Sequence, residues 1–292
     1  MRVRVPSLPP QMEKRKLTSE VVKKYDEAGL KIDHERVLTY SQLSCPLECA
    51  YCFVNDMTTN QQKEVAYLTE NQIDLLENLP EEIRLIMLGC DTEFFQNKPQ
   101  SLDILRRISK FGRDISMITK IPISEVMVAD IKRIYDEMKS RGNFLSVSMS
   151  LPCISEKMLA KYEPQTPAPE RRLATLKIIS ENEIPAMLAI RPLLPDISVG
   201  ELEEIVALSR DFVVGYYSGP LYLNDDRIAK LLPETIVEQE ARQPHWMLDG
   251  NTFKEIKKEG QIEFLKSTVE KSGRQFFEGA ADGMKYLRGN IK

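Results

Sequence analysis

The sequence predicts an α/β fold: a partial, TIM-like (β/α)6 barrel with a parallel sheet, an N-terminal extension and a mostly helical C-terminal segment. Three observations lead there. Six short runs are near-continuously apolar or β-branched, the pattern of parallel strands covered on both faces. Stretches with helical periodicity separate them, so strands and helices alternate and right-handed crossovers follow. Six units suit a barrel left partly open, with residues 224–292 placed to close or cap it.

Taken in chain order, residues 1–35 are rich in proline and charge and form the extension. The six strands are predicted at "VLTYSQL" (37–43), "IRLIMLG" (83–89), "DISMIT" (114–119), "FLSVSMS" (144–150), "AMLAI" (186–190) and "FVVGYY" (212–217). Between them, Thr69 and Gln72 form a capping box ahead of Ile73, Leu76 and Leu79. Leu102, Leu105 and Ile108 make one helical stripe, and Leu202, Ile205 and Val206 another. A helix over 123–141 ends at Gly142, where a left-handed cap costs little, and a helix over 169–182 opens on Pro169. The barrel core thus covers 36–223, with a C-terminal capping segment over 224–292. There is no internal repeat. In such barrels the chemistry sits where strands end and the following loops begin.

Composition narrows the function classes. With 292 residues, 42% of them apolar, the chain can bury a full core. It has no apolar run of the ~18 residues a membrane span requires, and "MRVRVPSLPPQMEKRK" lacks the apolar centre of a signal peptide. Five cysteines, an odd number, argue for a reducing compartment. The expectation is a soluble cytoplasmic protein without a membrane partner. Net charge is −4, so no global positive field attracts nucleic acid. Residues 1–24 carry seven basic side chains against two acidic, which reads as a solvated arm; residues 224–292 carry twelve of each.

The chemistry starts at "SCPLECAYCFV", which holds Cys45, Cys49 and Cys52 directly after the first predicted strand. A structural zinc site closes with four ligands, usually as two spaced pairs. No second pair exists here: Cys90 and Cys153 stand alone, and His34 and His245 are the only histidines. Three cysteines in one tight loop suit an iron–sulfur cubane, whose irons are each held by one thiolate. Three thiolates leave the fourth iron open to an exchangeable ligand.

The C-x3-C-x2-C spacing with Tyr51 before the last cysteine resembles the signature of the radical S-adenosylmethionine (SAM) superfamily. The resemblance implies a 4Fe–4S cluster on Cys45, Cys49 and Cys52 and SAM on the open iron. It further implies reductive cleavage of SAM to a 5′-deoxyadenosyl radical, fed by an electron donor such as flavodoxin or ferredoxin. A narrower likeness runs from about residue 40 to 223. "GCDTEFFQ" (89–96), "ITKIP" (118–122), "SMS" (148–150) and "YEPQTPAPERRLATLKIISENEIPAMLAIRPLLP" (162–195) are similar to the spore photoproduct lyase group. By that likeness Thr92 and Lys120 stand near the methionine end of SAM, Ser148 hydrogen-bonds SAM, and Glu93 matches an acidic position. Cys90 matches the cysteine that returns hydrogen to the product radical in spore photoproduct lyase. Arg191 ends the fifth predicted strand, where a basic residue reaches the SAM carboxylate, although relatives tend to be apolar there.

Other residues have structural readings. Tyr51 and Phe53 flank Cys52 and line the cofactor site; Phe53 replaces a tyrosine of the true lyases. Glu163 and Arg172 pair structurally, Cys153 is a small buried hydrophobe, and His245 with Trp246 forms a local packing corner that a cap facing the barrel mouth could also use. The leading expectation is a radical SAM enzyme acting on an unidentified substrate. Photoproduct repair is disfavoured, because gripping DNA requires a basic surface. Peptide or small-molecule modification is the enzyme alternative, although many such enzymes use more cysteines than the two spare here. A non-catalytic metal-binding scaffold is the alternative from another class.

Overall fold

A computed structural model describes residues 17–41, 43–56, 66–223, 232, 238–247 and 252–290. Its centre is an eight-stranded sheet. The strands are β1 (Leu30–Asp33), β2 (Arg36–Thr39), β3 (Leu85–Leu88), β4 (Asp114–Thr119), β5 (Leu145–Ser150), β6 (Ala186–Ile190), β7 (Gly215–Ser218) and β11 (Gln275–Phe277). They lie in the order β1-β2-β3-β4-β5-β6-β7-β11. β2 to β7 pair in parallel in sequence order, and β11 adds in parallel to β7. Only β1 runs antiparallel, in a hairpin with β2. The sheet is a barrel wall left open between β1 and β11. The six sequence-predicted strands are β2 to β7, and the partial barrel is as expected.

Alternation of side chains across the wall explains both covers. Val37, Ile86, Ile115, Val147, Leu188 and Tyr216 point outward and are fully buried. They meet the helices α2 (Glu70–Glu77), α3 (Lys98–Ile108), α4 (Glu125–Ser140), α5 (Glu156–Tyr162), α6 (Pro169–Glu181) and α7 (Val199–Ser209). The predicted capping box of α2 is present, with Gln72 N donating to Thr69 Oγ1 and Thr69 N to Gln72 Oε1. α4 stops just before Gly142, whose φ is +80°.

The other face of the wall is covered by the C-terminal segment. α9 (Ala280–Asn290) lays Met284 and Leu287 against Leu85 on this inner face, whereas α8 (Gln261–Lys271), which leads into β11, joins the outer cover beside α7. Gly283 is required by this packing: a Cβ there would stand 2.3 Å from Met187 Sδ. A small antiparallel sheet of β8 (Leu221–Leu223), β10 (Phe253–Lys257) and β9 (Glu238–Arg242) covers the rest. Among its described residues, the segment 224–292 thus combines two helices with strands, one of them part of the barrel wall. Before the barrel, α1 (Ser19–Glu27) buries Tyr25, whose hydroxyl donates to Leu75 O at 2.8 Å.

The strands β2 to β7 all end at the same rim, at Thr39, Leu88, Thr119, Ser150, Ile190 and Ser218. The loops that follow carry almost every candidate residue.

Candidate functional site

The cysteine loop follows β2 at that rim. Glu48 adopts a left-handed φ of 45°, and Cys52 N donates to Cys49 O at 3.0 Å, so the three cysteines wrap one compact turn. Ala50 N donates to Tyr162 O at 2.9 Å, tying the turn to the end of α5. Cys49 is buried, and Cys45 and Cys52 are half-buried; all five cysteines are free thiols. Burial pushes the Cys45 thiol up, and it pushes Cys49 up to about 12, with the Lys120 ammonium pulling back and Glu163 pushing further. The three sulfurs do not all lie within 4.8 Å of one another. That spread is wide for ligands sharing one tetrahedral ion, which stand about 3–4 Å apart. It accords with one thiolate on each of three irons.

Next to the loop lies a buried charge network. The Tyr51 hydroxyl donates to Glu163 Oε1, and Arg172 holds Glu163 Oε2 at 2.7 Å, with both charged side chains fully buried. Arg172 also donates to Pro167 O, Ser150 O and Thr166 Oγ1, so its fork is well used. Lys120 Nζ donates to Ser150 Oγ at 2.9 Å, stands 3.8 Å from Glu163 Oε1, and lies 5.8 Å from the Tyr51 ring centre. Glu93 accepts from Thr119 Oγ1 at 2.6 Å and from Lys120 N at 2.8 Å. Burial raises the Glu93 carboxyl, partly offset by Lys120; burial alone would lower Lys120, but Cys49, Glu163 and Glu93 outweigh it and hold the ammonium above its ordinary range. The Glu163–Arg172 pair was expected. Its extension through Tyr51 and Lys120 to the cysteine loop was not, and no local spacing signals it.

Two hydroxyls stand out. Thr92 Oγ1 and Ser148 Oγ are buried and make no hydrogen bond, although they lie beside the Cys45 thiol and the Tyr217 hydroxyl respectively. Buried hydroxyls without a partner are costly and rare. Thr92 shares the loop after β3 with Cys90 and Glu93. Ser148 faces the interior from β5, one strand beyond β4. A backbone constraint holds the β3 loop: Gly89 has φ +83°, and a Cβ there would stand 2.2 Å from Ile118 O.

The opposite wall of the mouth is aromatic. Trp246 packs edge-on against Phe53 at 5.4 Å and Tyr222 at 5.7 Å, while the Arg191 guanidinium lies 5.8 Å from its ring centre. The Tyr40 hydroxyl donates to Trp246 O at 3.0 Å, so Trp246 belongs to the barrel mouth rather than to a corner of its own. Cys90 and Cys52 both pack against this cluster. Cys90 is half-buried, its thiol directed at Met87 O at 3.5 Å, and burial pushes it up to about 12. Arg191 therefore faces the aromatic wall. Cys153 is fully buried in the main core, as a small hydrophobe is.

The Radical SAM superfamily model matches residues 40–209, more than half of the chain, and the protein belongs to the radical SAM superfamily. It is a radical SAM enzyme, using SAM and a 4Fe–4S cluster. An uncharacterized protein of Methanocaldococcus jannaschii is 24% identical over 207 residues, covering 68% of this chain and 74% of that one. A spore photoproduct lyase variant superposes with a TM-score of 0.59 at 13% identity, over 92% of this chain and 86% of that one. The radical SAM methyltransferase TsrM of Kitasatospora setae, solved with cobalamin and a [4Fe-4S] cluster, gives 0.54 at 13% identity over 91% and 58%. The chain spans 44% of the length of the Streptococcus suis SuiB structure it also matches, with a TM-score of 0.48. At these identities the structural likenesses concern the fold. Among the described residues, no helix is long and apolar enough to cross a membrane.

Proposed function

We propose that Cys45, Cys49 and Cys52 hold the cluster, with the SAM site formed by Thr92, Ser148, Lys120 and Glu93, and that the radical acts on a substrate entering past Cys90. The observation that carries this reading is the pair of partnerless buried hydroxyls, Thr92 Oγ1 and Ser148 Oγ. Both were singled out from the sequence, and a polar ligand in the barrel would satisfy them. When bound, the cluster supplies the electron that cleaves SAM to methionine and a 5′-deoxyadenosyl radical. The chain's own contribution is placement and exclusion of water. Lys120 is a buried cation beside the cysteine loop, suited to a ligand carboxylate, and Glu93 is a buried acceptor fixed by Thr119. Tyr51 is committed to Glu163, so its part is to hold the loop and shield it. Arg191 lies on the aromatic wall and is assigned to the substrate side.

Anaerobic reconstitution tests the reading. The loaded protein should show broad iron–sulfur absorption and release 5′-deoxyadenosine from SAM under a flavodoxin- or ferredoxin-type reductant. Tight zinc on the cysteine loop with no SAM binding would replace it with a metal-binding scaffold. Five free thiols agree with a cytoplasmic, reducing setting. DNA repair is the weaker reading, since the chain is acidic overall and offers few phosphate contacts.

Cys90 has a role within the same proposal. Its S–H can give a hydrogen atom to a substrate carbon radical, forming C–H and leaving a sulfur radical that the same one-electron donor reduces to a thiolate, which takes a proton from solvent to restore the thiol. Cys90→Ala should therefore still cleave SAM but give altered or trapped products, read by mass spectrometry. Unchanged products with stability lowered by about 1–2 kcal/mol would assign Cys90 to packing alone.

A further inference from the structure

We propose that Asp33, His34 and His245 form a second metal site, for a divalent transition metal of the zinc class, at the end of the barrel opposite the cysteine loop. These are the only two histidines in the chain, and they lie more than two hundred residues apart. Yet both converge on one carboxylate oxygen: His34 Nδ1 is 2.9 Å and His245 Nε2 is 3.2 Å from Asp33 Oδ1. Among the described residues, this is the one group of three or more such side chains whose ligand atoms all lie within 4.8 Å of one another. Two ligands each about 2.0–2.1 Å from a tetrahedral zinc stand about 3.3 Å apart. The observed separations are within a few tenths of an ångström of that.

Three further features are those of a built site. Arg36 Nε donates to Asp33 Oδ2 at 2.9 Å, which fixes the buried carboxylate and leaves Oδ1 turned toward the histidines. His34 sits at φ 56°, a left-handed conformation uncommon outside glycine, and that backbone turn brings its ring back over Asp33. The two rings stand edge to face, 5.5 Å apart at 86°, so both nitrogens aim at the oxygen without stacking. The group opens into a cavity of about 310 Å³ whose lining also includes Glu278, just before α9, and Asp282 in its first turn, leaving room for water as remaining ligands.

Such an ion would act as a staple. Asp33 and His34 belong to the β1–β2 turn at the base of the barrel, whereas His245 belongs to the segment that covers the inner face. The next residue, Trp246, packs against Phe53 and beneath Arg191 at the mouth. Metal binding at the base would hold that segment, and with it the aromatic wall, in place.

The test uses the full chain loaded anaerobically with its cluster, and zinc alone as the probe. After equilibrium dialysis, elemental analysis should find one zinc per chain with iron content unchanged. His34→Asn, which tolerates the left-handed backbone, and His245→Ala should each weaken zinc binding by more than about tenfold. Both rings are largely exposed, with 79% and 65% of their side chains accessible, so neither variant disturbs the core. Zinc should raise the melting temperature of the wild type but not of the double variant. X-ray absorption at the zinc edge should show nitrogen and oxygen at about 2.0–2.1 Å and no sulfur near 2.3 Å. A sulfur shell, zinc binding undiminished in the double variant, or no zinc retained by the wild type would each overturn the proposal.

Discussion

Anaerobically reconstituted Cys49→Ala is expected to retain little iron and to release no 5′-deoxyadenosine from SAM, with Cys45→Ala and Cys52→Ala behaving alike. On the proposed assignment each thiolate serves a different iron, so none can substitute for another. The three sulfurs do not all lie within 4.8 Å of one another, which accords with that division. The loop itself should survive the change. Its shape rests on backbone bonds, Cys52 N to Cys49 O and Ala50 N to Tyr162 O, which alanine leaves intact. Cys153→Ala is the control, because its side chain is fully buried in the main core: it should cost about 1–2 kcal/mol while iron and activity stay at wild-type levels. Full iron content and activity in any one of the three loop variants would sink the assignment of ligands.

Legibility of the fold followed burial. β2 to β7 are covered on both faces, so their apolar runs survive as uninterrupted signals in the sequence. β11 is three residues long and its first residue, Gln275, is exposed, so "QFF" carries no period to detect. β9 and β10 read "EQEAR" and "FKEIK", and charge of that density hides a strand. Their pairing depends on context: Glu255 is buried beneath Tyr222, Arg242 and Lys257. α9 contains Gly283 and Gly289, poor helix formers, and Gly283 is explained only once Met187 is seen against it. The sheet edge at β1 was hidden for a similar reason, because "LKID" is short and mixed.

The site divides along a similar line. Cys45, Cys49 and Cys52 are close in sequence, so their spacing alone displays the chemistry. Thr92, Lys120 and Ser148 became visible through likeness to a family together with their place at strand ends. The bond from Tyr51 to Glu163 spans 112 residues, and that from Tyr40 to Trp246 spans 206. Contacts of that range leave no trace in local pattern. They depend on how loops after different strands meet at one rim.

The second large effect belongs to such a long-range contact. Arg172→Met is expected to destabilise the protein by about 3–5 kcal/mol, because it leaves the Glu163 carboxylate buried without its cation. In a chain of this size that corresponds to a fall in melting temperature on the order of 10 °C. Lys120, 3.8 Å from Glu163 Oε1, is too far to replace a bonded guanidinium that also satisfies Pro167 O and Ser150 O. The damage should reach the cysteine loop, since Tyr51 is held by the same carboxylate, so the surviving folded protein should reconstitute with less iron. Glu163→Gln combined with Arg172→Met removes both charges and should recover most of the lost stability, though not the anchoring of Tyr51 by a full carboxylate. Chemical denaturation of the two variants separates these effects. A loss below about 1 kcal/mol for Arg172→Met, within the range of an exposed pair, would show that the buried network does not hold this rim together.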